Sequence, residues 1–457
     1  MARKGDSPAI FDTASKTSRT FREIDERARD FEPRIAGLST GSVVAIQIGN
    51  HEDWPSILVA CLRRCIVVLP LEKSITQQQR DAALEICGAS AVIADNVPGG
   101  SPEVAAMRTS AAPPDWGNNP PSLLKLTSGT TAAPRTICFR SEQLLADCDQ
   151  ICDTKGISGT DLNFGVIPVS HSYGFSNLLT PLIARGVPLV MSRDRTPRAV
   201  LDDLNNTNAT VFPGMPLFYQ AFCEIDNPPE LPKLRLFISA GAPLPLAVAK
   251  EFRERFGRPI HSFYGASECG GICYDRDGTV EVEGYVGTLM QGVQIEPIDR
   301  LTEASQVRVR SAAAGEGYLP QADQAKLGGG QFVPDDLLTR CGDGFKIVGR
   351  VSDVINVAGK KVNPAEIEEA LLRMPGVVQA VAFGRCPAAG LRNEEVAACV
   401  AGLPELNEIA LLDACRKELS AWQVPKRIFI VDTIPANERG KISRKELAQR
   451  FGSARQR

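Results

Sequence analysis

The sequence predicts an α/β protein. A large N-terminal domain of packed, mainly parallel sheets with a small antiparallel barrel-like part precedes a small α+β domain. Three observations predict it. Amphipathic stretches alternate with short apolar ones from Phe21 to Gly241, the pattern of crossover units on a parallel sheet. Between Val282 and Val348 short runs such as "VQIEPI" and "QVRVRS" stand between glycine-rich turns, which suits antiparallel pairing. After "VGR" (348–350) the chain begins a compact unit long enough to hold its own core. The 457 residues exceed one ordinary core, and the division falls at 1–350 and 351–457.

Taken in order, a helix at "FREIDERARDFEPRI" precedes a strand at "SVVAIQIG", a helix at "DWPSILVACLRR" and a buried strand at "CIVVLPL". The helix "TQQQRDAALEIC" leads to the strand "AVIA" (91–94). The next stretch, "NVPGGSPEVAAMRTSAAPPDWGNNPP", is crowded with Gly, Pro and Ala and reads as a surface connection. "LNFGVIPV", "GVPLVM", "ATVFP" and "LRLFISAG" are further strands between helical stretches. In the C-terminal domain Asn363-Pro364-Ala365-Glu366 is a helix start: a cap, proline at the first position and an acid at the third. Ile367, Ala370, Leu371 and Met374 then share a face. Strands "VVQAVAF" and "VAACVA", a helix "EIALLDACRKELSAW" and a strand "RIFIV" complete the unit.

Composition narrows the function. Lys and Arg number 51 against 54 Asp and Glu, a net charge of -3, which argues against a nucleic-acid binder that works by neutralising phosphates. No apolar run approaches the roughly 18 residues of a membrane span, and no apolar core follows the basic start "MARKGDSPAIF". A cytoplasmic protein without a membrane span is expected. The thirteen cysteines are scattered without a Cys-x-x-Cys pair, and only three histidines accompany them, which argues against zinc and for a reducing compartment.

Residues 125–136 read "KLTSGTTAAPRT", four hydroxyls around Gly129 directly behind the apolar "SLLKL". Such residues suit an ordinary surface turn, and a Walker loop would need a second glycine and a lysine. Hydroxyls and backbone N–H groups can still hold a polyphosphate, with Arg135 as a cationic donor. Its companions decide the matter: "SAGAPL" (239–244), "FYGASE" (263–268), "VPDDL" (333–337), "VGRVSDVINVAGKKVNPAEIEEAL" (348–371) and "IPANERGKISRKEL" (434–447). This series, in this order, resembles the adenylate-forming superfamily of acyl- and aryl-CoA synthetases, peptide-synthetase adenylation domains and firefly luciferase. The resemblance covers nearly the whole chain. "TSGTTAAPR" is similar to that family's phosphate loop, "YGASE" to its Tyr-Gly-x-[Ser/Thr]-Glu motif and "ERGKISRKEL" to its C-terminal lysine motif.

The resemblance implies the chemistry and its residues. A carboxylate attacks the α-phosphate of ATP, pyrophosphate leaves, and the mixed anhydride passes its acyl group to a thiol. ATP, Mg²⁺ and coenzyme A are therefore implied. Thr127, Ser128, Gly129, Thr130 and Thr131 would face the phosphates. Ser267 would touch the α-phosphate, and Glu268 would be the metal ligand. Lys441 would bridge the attacking carboxylate and the α-phosphate, a task suited to a long, flexible ammonium. Asp336 and Arg350 would take the ribose; Gly241, Ala242, Pro243 and Tyr264 would flank the adenine. His171 and Gly174 in "PVSHSYGFS" would border the acyl pocket, together with Ser239, Ala240, Gly265 and Gly270. A mobile C-terminal domain would turn about a hinge near Ser352, and Gly359 would border the thiol's tunnel with Lys360 or Lys361 near phosphate.

The sequence departs from the family pattern in places. Arg135 replaces a lysine, Ala132 a glycine, and Pro334-Asp335 a Thr-Gly, while "ANERGK" differs from the common "RTxSGK". Reduced or shifted rates are expected rather than a dead site. The reading is an AMP-forming carboxylate–CoA ligase acting on a small-molecule carboxylic acid. A stand-alone adenylation enzyme loading a carrier protein is the alternative, since both acceptors present the same pantetheine arm. A non-catalytic acyl-nucleotide-binding regulator is the other, though it would need neither Lys441 nor Glu268.

Overall fold

The computed structural model describes residues 4–95, 99–107, 109, 114–127, 135–278, 281–298, 304–357, 360–385, 394–435 and 442–452. The chain divides into two compact units. The first comprises Met1–Glu296, Arg308–Pro334 and Cys341–Phe345, and the second Pro297–Val307, Asp335–Arg340 and Lys346–Arg457.

The first unit holds two sheets. One runs, in spatial order, Gly317–Leu319, Thr136–Phe139, Leu123–Leu126, Val67–Pro70, Val43–Gln47, Ala89–Ala94 and Glu103–Ala106. Its middle is parallel, and Val43–Ile46 and Val67–Pro70 are buried throughout, as strands covered on both faces must be. The strand Glu103–Ala106 lies within the stretch expected to be a plain connection. It is an edge strand paired antiparallel with Ala89–Ala94 and mostly exposed, so no hydrophobic alternation marks it. The other sheet carries Ile260–Ala266, Leu236–Ser239, Val211–Gly214, Asn163–Gly165, Leu189–Met191 and Pro8–Asp12 as parallel neighbours. Gly270–Tyr274 and Tyr285–Leu289 extend it antiparallel.

The helices follow the expected pattern with adjusted ends. Phe21–Phe31 starts in a capping box made by Thr20 and Glu23 and passes into a tighter 3₁₀ turn at Glu32–Ile35, where Pro33 cannot supply a helical donor. Trp54–Arg63 and Gln77–Ile86 match their predicted stretches.

The second unit packs helices Pro364–Leu372, Glu408–Glu418 and Arg444–Gly452 with the sheet Val377–Arg385, Glu395–Gly402, Arg427–Ile430. Asn363 caps the first helix through the Ala365 N–H, and Ile367, Ala370, Leu371 and Met374 are buried on one side, as the pattern predicts. The second helix stops at Glu418, short of the predicted Trp422, which stays 42% exposed under the Lys360 ammonium, 3.5 Å from its ring centroid. Separate apolar clusters line the two sides of this sheet, around Ile367 and Val400 and around Phe383 and Leu447. All described cysteines are free thiols.

Candidate active site

Strands Leu123–Leu126 and Thr136–Phe139 form an antiparallel hairpin ending at the pair Leu126↔Thr136, and Thr127 N–H donates to the Arg135 carbonyl at 2.8 Å. The hydroxyl-rich stretch connects its two strands in sequence. Thr127 stands at its base; Ser128, Gly129, Thr130 and Thr131 lie outside the described residues, as do Gly359 and Lys441. Gly317–Leu319 pairs with Thr136–Cys138 on the other side, which sets the Tyr318 ring 5.4 Å from the Arg135 guanidinium carbon. The Tyr318 hydroxyl donates to Glu268 Oε1 at 3.1 Å. Burial, then the Glu268 charge, push this phenol well above its usual range, so it is a donor at neutral pH. One tyrosine that sequence reasoning missed therefore joins the loop base to the metal-ligand candidate. Its place depends on a strand pairing nearly two hundred positions away, and no local motif signals it.

Glu268 sits in the turn between Ile260–Ala266 and Gly270–Tyr274, an antiparallel hairpin. A Cβ at Gly265 would lie 2.5 Å from the Gly270 carbonyl oxygen. At Gly270, with φ +71°, it would lie 2.1 Å from Asp147 Oδ1. Both glycines thus have a backbone reason where the resemblance assigns pocket wall. Ser172 Oγ donates to Ser267 Oγ at 2.9 Å, which ties the Glu268 turn to the segment after His171. His171 Nδ1 accepts the Tyr173 N–H at 3.3 Å and caps the short helix Ser172–Gly174, and Gly174 packs on the Pro168 backbone. Thr127, Ser267, Glu268 and His171 are thereby linked through Arg135, Tyr318 and Ser172.

The adenine candidates lie along neighbouring strand ends. The register Ser239↔Ser262 brings the exit of Leu236–Ser239 beside the strand that carries Tyr264. Ser239, Ala240 and Tyr264 are buried, whereas Gly241, Ala242 and Pro243 are exposed, with Gly241 at φ +85°. In the second unit Arg350 Nε donates to Asp336 Oδ1 at 2.9 Å, so the two ribose candidates are already paired. Ser352 occupies a 3₁₀ turn, Val351–Asp353. Arg444 donates to Asp353 Oδ2 at 2.6 Å and to Glu368 Oε1 at 2.8 Å, anchoring the helix Arg444–Gly452, on which the lysine motif ends.

Among the described residues no group of three or more His, Cys, Asp or Glu could cage a metal. A single carboxylate at Glu268 would suit a magnesium ion, which keeps several waters and takes its other ligands from phosphate. No helix among the described residues is long and apolar enough to cross a membrane.

A family profile for AMP-binding enzymes matches residues 1–319, and one for the AMP-binding enzyme C-terminal domain matches 366–441. The chain belongs to the AMP-binding enzyme family. Feruloyl-CoA synthase of Amycolatopsis sp is 28% identical over 95% of this chain and 94% of its own. A 3,4-dihydroxybenzoate–[aryl-carrier protein] ligase of Bacillus anthracis is 27% identical over 72% of this chain and 73% of its own. Among solved folds, ATP-bound MatB from Rhodopseudomonas palustris superposes with a TM-score of 0.85 at 22% identity, covering 98% of this chain and 96% of that one. The expected family, α/β class and acid–thiol ligase activity are borne out for this AMP-binding enzyme.

Proposed function

We propose that this AMP-binding enzyme uses ATP and magnesium to activate a small carboxylic acid and passes the acyl group to the thiol of coenzyme A. The observation that carries the reading is the chain of contacts from Thr127 and Arg135 through Tyr318 to Glu268, Ser267 and Ser172. It joins the base of a phosphate-binding loop to a carboxylate for the metal and a hydroxyl for the α-phosphate.

In the first step a carboxylate oxygen attacks the α-phosphorus, and the bond to the β-phosphate oxygen breaks as pyrophosphate leaves. Charge accumulates on phosphate oxygens, so alignment and cationic or N–H donors supply most of the acceleration. Lys441 spans the attacking oxygen and the α-phosphate; Thr127–Thr131 hold the leaving group, and Arg135 adds positive charge at the loop's end. Asp336 and Arg350 exchange their mutual bond for the ribose hydroxyls, and Tyr264 with Gly241–Pro243 borders the base. In the second step the thiol sulfur attacks the acyl carbon and AMP leaves. His171, Ser239 and Ala240 border the acyl group, with Ser352 as hinge and Gly359 at the thiol's path.

Carrier-protein loading is the second reading, supported by the aryl-carrier ligase among the relatives. One experiment tests both: pyrophosphate release over a panel of aryl, dicarboxylic and fatty acids, with coenzyme A or a pantetheinylated carrier as acceptor. Turnover with coenzyme A is expected, and turnover with the carrier alone would overturn that choice. Lys441→Ala should abolish pyrophosphate release while ATP still binds; full activity in that variant would remove the mechanism.

A further inference from the structure

Three charged side chains lie inside the first unit where the sequence alone would put them on the surface: Lys125 is 5% exposed, Asp147 3% and Lys155 5%. Each touches a different piece of the site. Lys125 belongs to the strand Leu123–Leu126 that runs into Thr127, and its Nζ lies 3.3 Å from Ser176 Oγ and 4.5 Å from the Phe139 ring centroid. Asp147 stands in the helix Ser141–Lys155; its Oδ1 accepts the Gly271 N–H at 3.3 Å and abuts Gly270, two residues past Glu268.

Lys155 closes the same helix. Its Nζ donates to Asn177 Oδ1 at 2.7 Å and lies 3.4 Å from the centroid of Phe263, the residue that opens "FYGASE". Asn177 Nδ2 in turn donates to the Tyr173 carbonyl at 2.9 Å, in the segment that follows His171.

Burying three ionisable groups is costly, and apolar side chains of similar size would fill the space more cheaply. Burial pushes the Lys155 ammonium down to about 7 and lowers Lys125 as well, while the Asp147 charge opposes the shift in both. What the charges supply that apolar packing does not is direction: Lys125 and Lys155 reach neighbouring residues, Ser176 and Asn177, of the segment Phe175–Leu179, and Asp147 reaches Gly271 of the strand Gly270–Tyr274. We propose that Lys125, Asp147 and Lys155 form an internal brace that holds the phosphate-loop strand, the Glu268 turn and the His171 segment in one register for the adenylation step. They are positioning residues, acting through Thr127, Glu268 and Tyr173. The inference rests on the proposed roles of those elements, and its first readout is independent of turnover.

The test compares the full-length parent with Asp147→Asn and Lys155→Met. By hydrogen exchange, peptides over 123–127, 171–177 and 263–271 should lose protection together, by about tenfold or more in each variant. Loss confined to the helix 141–155, or none, would overturn the brace whether or not the acid substrate is known. In turnover, Asp147→Asn should lower kcat for pyrophosphate release by about 30-fold while KM for ATP changes less than about threefold. The double variant Asp147→Asn/Lys155→Met should lose little more than Asp147→Asn alone, because both residues act through one brace. Parental kcat in folded Asp147→Asn, or a double variant no better than additive, would count against the proposal. Should Asp147→Asn fail to fold, Lys155→Met decides by hydrogen exchange, since it keeps the Asp147–Gly271 bond. A parent that releases no pyrophosphate with any acid would sink the proposed function and leave the exchange result standing.

Discussion

The Glu268 turn of the first unit and the Asp336–Arg350 pair of the second hold site candidates by opposite means. Around Glu268 two glycines allow backbones to meet within van der Waals contact, a buried aspartate fills the space behind them, and Tyr318 fixes the carboxylate from the front. Around Asp336 the partner is an arginine whose side chain is 46% exposed. Such a water-screened pair is worth about 1 kcal/mol or less, so it can open at little cost. On the proposed function, the first region would meet charge that develops in a transition state, and the second would exchange partners between ligand-free and ligand-bound states.

Substitutions sharpen or break this contrast, and the largest effect belongs to Glu268. Glu268→Gln keeps the Tyr318 contact and removes the charge. Pyrophosphate release should fall by about 10²–10³-fold, the scale of one lost electrostatic stabiliser, with melting temperature nearly unchanged. A drop in stability with normal turnover would show that the acid is structural. Gly270→Ala comes next. Its methyl group would meet Asp147 Oδ1 in a left-handed backbone, costing about 1–3 kcal/mol in denaturant unfolding. A neutral result would mean the turn is softer than the contrast requires. Tyr318→Phe removes a hydrogen bond to a charged group, worth about 1.5–3 kcal/mol, and should slow pyrophosphate release by about tenfold or more.

A smaller effect is read from pH. Lys155 sits near 7 in the folded protein against about 10.4 unfolded, so the unfolded chain binds the extra proton between those values. Its burial penalty is fully present below pH 7 and is relieved as pH rises towards 10. Parental stability should therefore climb relative to Lys155→Met between pH 7 and 9 in paired thermal melts. The smallest change in stability is expected of Arg350→Ala, within about 0.5 kcal/mol, while KM for ATP rises. An equal loss of stability at Arg350 and at Gly270 would erase the distinction between the two regions.

Much of this was legible in the sequence, for identifiable reasons. Alternating apolar stretches marked the parallel strands, and the Asn363 cap with Ile367, Ala370 and Leu371 marked the first helix of the second unit. The motif series points to Thr127, Ser267 and Glu268 as site candidates. The edge strand Glu103–Ala106 escaped because an exposed edge carries no burial pattern. Tyr318 and Arg444 escaped because each acquires its role from a partner distant in sequence. Lys125, Asp147 and Lys155 escaped for a deeper reason: composition rules send charges outward, and only the fold reveals where they are enclosed.

The Lys360–Trp422 contact has a practical outcome. Of the three tryptophans, Trp54 is enclosed, Trp116 donates its indole N–H to the Gly41 carbonyl, and Trp422 carries a cation on its ring. Indole fluorescence responds to nearby charge, so any polyanion that draws the ammonium away should alter the emission of that one fluorophore. The second unit thus comes with a label-free optical gauge, readable in a stopped-flow mixer on the timescale of a single turnover.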